Sequence, residues 1–171
     1  RTLNKLYLKV TLEDQLMTKR SIENPKLSEP SPKKGSNLLN RFSLEESTQK
    51  LGELVPRERL AWAFEQFDPC FALTTSFGIQ SGVLLNMLNE LGLTSSVPVI
   101  WVDTGYLPSE TYLYADQLTE KFDLNLKVAQ SKMSPARMEA LFGQLWSTGS
   151  IHDLEKYHQI RKVEPLEDAL D

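Results

Sequence analysis

Three groups of polar residues in this sequence have the types and spacing to handle an anion. The first is Thr74-Thr75-Ser76-Phe77-Gly78-Ile79-Gln80-Ser81, with four hydroxyls, an amide and a glycine in eight residues. None of these side chains is acidic, and hydroxyls and backbone N–H groups both donate, so the stretch suits a phosphate or a similar oxyanion. The second is Asp103-Thr104-Gly105-Tyr106, which reads equally as a ligand-facing corner or as a solvated turn with an Asx-type bond. The third is Arg161-Lys162, two adjacent cations in the connector Leu154–Leu166. A guanidinium meets an oxyanion as a fork, an ammonium as a point charge. No Ser-His-Asp set, paired carboxylates or zinc spacing stands out. His152 and His158 read as surface groups.

The elements that must position these residues follow from periodicity. Cys70–Leu73 is a short apolar run with the content of a buried strand. After the Thr74–Gly78 corner, Ile79, Val83, Leu84, Met87, Leu88 and Leu91 repeat at helical spacing, and Gly92 closes that helix. The first cluster therefore sits at a helix start, where unpaired N–H groups and the dipole favour an anion and Gly78 allows close approach. Val97–Val102 is rich in β-branched residues, as a strand covered on both faces is. Asp103–Tyr106 then lies just beyond its carboxyl end, where open α/β sheets bind ligands. If the first two strands are adjacent, this corner sits beside the first cluster, and the strand end at Trp101 and Val102 could then offer backbone groups to a bound ligand.

Pro108-Ser109 caps a helix over Thr111–Phe122, with Tyr112, Ala115, Leu118 and Phe122 inward. Leu124, Leu126 and Val128 alternate as a third strand. Ser134-Pro135 opens a helix stopped by Gly143, and Pro165 opens another. Upstream, Ser43 with Glu46 forms a capping-box pattern, with Leu38, Leu39, Phe42 and Leu44 around it. Pro56 starts a helix with Leu60, Ala61, Phe64 and Phe67 on its apolar face. The sum is βαβαβα, an α/β fold with a doubly wound parallel sheet.

The wording of the first cluster resembles the modified PP-loop of the 3′-phosphoadenylyl-sulfate (PAPS) reductases. ATP-pyrophosphatase relatives carry Ser-Gly-Gly-x-Asp-Ser there; Phe77 and Gln80 stand at one glycine and the aspartate. Loss of that acid suits a site that holds an anionic phosphosulfate and cleaves no ATP. Asp103-Thr104-Gly105-Tyr106 and Lys156-Tyr157-His158-Gln159-Ile160-Arg161-Lys162-Val163-Glu164-Pro165 match two further segments of the family. The family's Leu-Phe-Pro-Glu-Thr reads Leu107-Pro108-Ser109-Glu110-Thr111 here. The resemblance implies a PP-loop (adenine nucleotide alpha-hydrolase-like) fold over residues 38–171. It also implies substrate contacts from Thr75, Ser76, Phe77, Gly78, Gln80, Ser81, Val102, Asp103, Thr104, Gly105, Arg161 and Lys162, the last reaching the phosphosulfate.

The resemblance further implies reduction of PAPS to sulfite and adenosine 3′,5′-bisphosphate in sulfate assimilation, with thioredoxin or glutaredoxin as reductant. A homodimer stays open. Iron–sulfur APS reductases carry a Cys-Cys pair where Tyr157-His158 stand, and neither residue is a thiolate ligand, so no cluster is expected. In the family the nucleophile belongs to a Cys-Gly-Leu-His tail. This sequence has a single cysteine, Cys70, placed upstream of the loop and read as an inert core thiol. The catalytic cysteine is expected beyond Asp171, the chain being read as a fragment without reductase activity of its own. The first strand is then expected to have an unpaired flank and the chain to be poorly soluble. An ATP-using PP-loop ligase or sulfurtransferase, an APS reductase and a non-catalytic nucleotide-binding module stay open as alternatives.

The composition fits one ordinary domain: 171 residues, 40% hydrophobic and 25% charged. A net charge of −4 offers nucleic acid and anionic membranes no general attraction, so an anionic ligand must be held by local donors. No apolar run is long enough for a membrane span, no secretory signal is read in Arg1–Val10, and a cytoplasmic enzyme is expected. Residues 1–37, rich in Pro, Ser and Lys after Asn24, are expected to be disordered.

Overall fold

The computed structural model describes residues 43–171; the expectations for residues 1–37 and for Leu38, Leu39 and Phe42 lie outside them. Helix α1 (Leu44–Glu53) starts where the Ser43 hydroxyl accepts the Glu46 N–H, and α2 (Pro56–Phe67) starts on its proline. Leu44 is exposed and α1 buries no residue, so its apolar start finds no cover among the described residues.

The sheet has three parallel strands in the order β1 (Leu73–Thr75), β2 (Val99–Asp103), β3 (Leu126–Gln130). Between them run α3 (Ile79–Glu90) and α4 (Ser109–Phe122). After β3 come α5 (Pro135–Phe142), α6 (Ile151–His158), a π-helical turn (Gln159–Val163) and α7 (Glu164–Leu170). The α/β architecture is the one that the alternating pattern predicts.

β2 is paired on both sides and nearly continuous in burial. Val99 and Trp101 point into a cluster with Leu60 and Ala63 of α2, Leu85 and Leu88 of α3, and Ala115, Leu118 and Phe122 of α4. Ile100 lies between them in sequence and so faces the other side. It is buried too, and α7 packs against β2 and β3. Both faces of the central strand are therefore covered.

Several boundaries and faces differ from the sequence pattern. β1 begins at Leu73, after a cis Asp68–Pro69 bond and a turn in which the Cys70 N–H donates to the Phe67 carbonyl. Cys70 is therefore a half-buried turn residue and not a core strand thiol. In α3 the buried positions are Leu85 and Leu88, whereas Ile79 and Val83 are 89% and 56% exposed. Both belong to the same 3.6-residue repeat, and only the packing of α2 and α4 decides which arc of it is covered. β3 has β2 as its one partner among the described residues, and there Val128 is 50% exposed while Ala129 is buried. β1 likewise pairs only with β2 among these residues.

Leu88 is fully buried at the centre of the main cluster. Leu88→Ala removes its methyl groups and leaves a cavity, at a cost of about 2–5 kcal/mol. The loss is expected as a lower urea midpoint with an unchanged slope; a change under ~1 kcal/mol would show the core to be loose there.

Candidate functional site

The two polar corners are neighbours because their strands are. Thr75, the last residue of β1, pairs with Trp101, two residues before Asp103. The carboxyl ends of β1 and β2 thus open onto one edge of the sheet.

At the first corner the chain makes an abrupt change of direction at Phe77, whose φ is +53°. A bulky residue in the left-handed region costs roughly 1–2 kcal/mol. The ring repays it by burial: Phe77 is 4% exposed and meets Trp101 edge-on, ring centroids 5.1 Å apart. Gly78, the residue with the conformational freedom, stays in ordinary extended backbone at φ −72°, ψ 171°. Its use is therefore space: Ser76, Gly78 and Gln80 are exposed while Phe77 is sealed inside.

Hydroxyls knit this corner. Thr75 Oγ1 accepts the Phe77 N–H at 3.1 Å, and Ser76 Oγ accepts the Gly78 N–H at 3.4 Å. Ser76 Oγ also lies 3.3 Å from Ser81 Oγ. The first intrahelical bond of α3 is Gly82 N–H to the Gly78 carbonyl. The N–H groups of Ile79, Gln80 and Ser81 precede it, at the positive end of the helix. Two hydroxyls and three N–H groups at one helix start can receive a phosphate-sized oxyanion.

The second corner is tied down from within. Asp103 Oδ1 accepts the Gly105 N–H at 2.8 Å and the Tyr112 hydroxyl at 2.7 Å, and Oδ2 accepts Gln130 Nε2 at 2.7 Å. Burial pushes this carboxyl up. The bonds from Tyr112, Gln130 and Gly105, with the Arg161 charge, outweigh it and hold Asp103 below its ordinary 3.8. Burial and the bond to Asp103 raise the Tyr112 hydroxyl, which stays a donor. Asp103 and Thr104 are each 6% exposed, so this corner faces solvent mainly through its backbone and Gly105. Tyr112 also packs on Trp101, at 5.6 Å between centroids, so Trp101 separates and braces both corners.

Tyr106 donates to Glu139 Oε1 at 2.8 Å. Burial and that acceptor push its hydroxyl up to about 12. Its ring lies 4.5 Å from that of Trp146 and 6.1 Å from that of Tyr157.

The expected basic pair divides. Arg161 is 2% exposed, and its Nε donates to the Thr104 carbonyl at 2.7 Å. Nη2 donates to the same oxygen and Nη1 to the Met133 carbonyl. This differs from the expectation of a second cation turned to the ligand: the guanidinium is spent on backbone. Lys162 is exposed and has no hydrogen bond or ion pair among the described residues. The π-helical turn, with its wider ring, brings this about by turning Arg161 inward and leaving its neighbour outside.

The model of the phosphoadenosine phosphosulfate reductase domain matches residues 71–171. The chain belongs to this family. Similar relatives are a phosphoadenosine 5′-phosphosulfate reductase of Synechocystis sp., 47% identical over 135 residues, and one of Klebsiella pneumoniae, 47% over 129. The alignments cover 79% of this chain and 53% of the first relative, 75% and 52% for the second. The chain spans about half the length of these curated relatives. A crystal structure of PAPS reductase from Candida auris, in a phosphate complex, matches with TM-score 0.62 and 29% identity over 75% of this chain and 62% of that one.

Within this reductase-domain family member, the matched region contains both corners and the π-helical turn. Sequence reasoning missed Tyr112 and Gln130, which complete the Asp103 site from 9 and 27 residues away. A tyrosine on the inward face of a helix signals only core. Nothing local could have paired Gln130 with Asp103, although the strand register sets them side by side.

Proposed function

We propose that this chain supplies the sulfonucleotide-binding part of a thioredoxin- or glutaredoxin-dependent PAPS reductase of sulfate assimilation. One observation carries it: an outward-facing set of hydroxyls and helix-start N–H groups lies beside a braced Asp-Thr-Gly corner on adjacent strand ends. Thr75, Ser76, Gly78, Gln80 and Ser81 form the phosphosulfate cradle, with Phe77 shaping it from beneath. The backbone at Val102, Thr104 and Gly105 lines the nucleoside side. Lys162 reaches the sulfonate end as a mobile ammonium.

The chemistry is thiolate attack on sulfur. A cysteine thiolate bonds to the sulfonate sulfur, the S–O bond to phosphorus breaks, and adenosine 3′,5′-bisphosphate leaves with that electron pair. A dithiol reductant then attacks the S-sulfocysteine, releasing sulfite and ending as a disulfide. Cys70 is badly placed for the first step. It precedes β1 whereas the cradle follows it, and three strand residues set the two about 10 Å apart at opposite ends. The nucleophile therefore comes from elsewhere in the whole enzyme.

A competition titration tests this reading. PAPS is expected to displace a fluorescent adenine nucleotide from the chain at least ~10-fold more tightly than APS, a difference of about 1.4 kcal/mol. Lys162→Ala is expected to weaken PAPS ~10-fold or more, as a lost charged hydrogen bond does, and to leave adenosine unchanged. Equal affinity for PAPS and APS would sink the assignment of substrate.

A further inference from the structure

We infer that Arg161 is a positioning residue for this site, fixing the Asp103–Tyr106 corner and, through the chain, the place of Lys162. The inference rests on the sulfonucleotide-binding reading above.

Arg161 is almost wholly buried and forms no ion pair among the described residues. Although its charge acts on the nearby Asp103 carboxylate, a buried cation without a direct ion pair is costly, and an apolar side chain of similar volume would fill the space at less cost. What an apolar side chain cannot do is donate. Arg161 directs its N–H groups at the Thr104 and Met133 carbonyls, the first just past β2 and the second shortly past β3. It thereby ties two strand ends together on the edge where the candidate cradle opens. The guanidinium carbon lies 5.6 Å from the Tyr106 ring centroid, so the plane also backs the last residue of the corner.

Lys162 is the next residue, on the outer side of the same π-helical turn. Consecutive Cα atoms are 3.8 Å apart, so the anchor that holds Arg161 also limits where the Lys162 ammonium can swing. A lysine at position 161 would keep the charge but not the planar fork that serves two carbonyls at once.

The experiment uses the 171-residue chain and its Arg161→Lys, Arg161→Ala, Lys162→Ala and double Arg161→Ala/Lys162→Ala variants. PAPS affinity is measured at a temperature where circular dichroism shows each one fully folded. Both Arg161 variants are expected to bind at least ~10-fold more weakly than the parent. Millimolar guanidinium is expected to restore part of the affinity of Arg161→Ala, where sodium chloride of equal ionic strength does not. The two alanine losses are expected to be less than additive, because Lys162 already misses its target once the anchor is gone.

Folded Arg161 variants that bind within about twofold of the parent overturn the inference, and so do additive losses without guanidinium rescue. A parent chain that binds no adenine nucleotide instead overturns the functional reading itself.

Discussion

Gly105→Ala is expected to lower the thermal midpoint of this chain by roughly 5–20 °C, from a loss of about 2–5 kcal/mol. Two costs combine. The backbone at Gly105 sits at φ +75°, which a side chain resists. A Cβ there would also stand 2.7 Å from Pro135 Cγ and 2.9 Å from Arg161 Nη2. Neither neighbour has an easy retreat: the proline is rigid at the start of α5, and the guanidinium is held by two carbonyls. Gly78→Ala is the natural control. Its backbone is extended, and the added Cβ would meet only Ser76 Oγ, at an ordinary 3.4 Å. A calorimetric scan of both variants decides the matter, and equal midpoints would refute the steric account of the Asp-Thr-Gly corner.

Asp103→Asn is expected to cost about 2–4 kcal/mol at neutral pH, because an amide offers its NH2 to donors that need an acceptor. The Tyr112 hydroxyl, Gln130 Nε2 and the Gly105 N–H all point at the carboxylate. Acid should reveal the same bonds. Burial alone would raise the Asp103 pKa, but the hydrogen bonds and Arg161 bring it below 3.8 in the folded chain. The unfolded state therefore binds the proton more readily, and stability falls as pH drops. The contribution is complete above about pH 4–5 and disappears as the pH passes down through the folded value. Urea midpoints measured from pH 6 to pH 3 should fall for the parent and less steeply for Asp103→Asn. Parallel curves would mean that the carboxylate bonds contribute nothing to stability.

Much of this fold is legible in local chemistry. Ser134, Pro135 and Gly143 mark both ends of α5, and the Ser134 hydroxyl does accept the Arg137 N–H. Gly92, at φ +67°, ends α3 in the left-handed turn that only glycine takes easily. The β-branched run of β2 announces a strand covered on both faces. Each of these signals is read within a few residues of where it acts.

What was illegible depends on distance or on rare backbone. The positive φ of Phe77 arises because Trp101, 24 residues on, makes burial of the ring worth the strain. The inward turn of Arg161 depends on a π-helical ring, which no periodicity rule anticipates. The exposure of Val128 follows from β3 having one strand partner among the described residues, a fact of topology and not of alternation. The two basic residues thus look alike in the sequence and differ completely in surroundings.

The wide turn at Gln159–Val163 also absorbs an extra residue between the helices on either side. A π-helical ring is one residue larger than an α-helical one, and an α-helix advances about 100° per residue. Excising one residue there, however innocuous its type, would let α6 and α7 fuse in continuous α-helical phase. The wider ring has already absorbed that residue, so everything downstream would keep its facing toward the sheet, with Pro165 still in the interior, and only the outward swell at Gln159–Val163 would be lost. A single-residue deletion in this segment is therefore one that α7 can accommodate, whereas a further insertion, with no wider ring left to absorb it, would turn α7 by about 100° against the sheet.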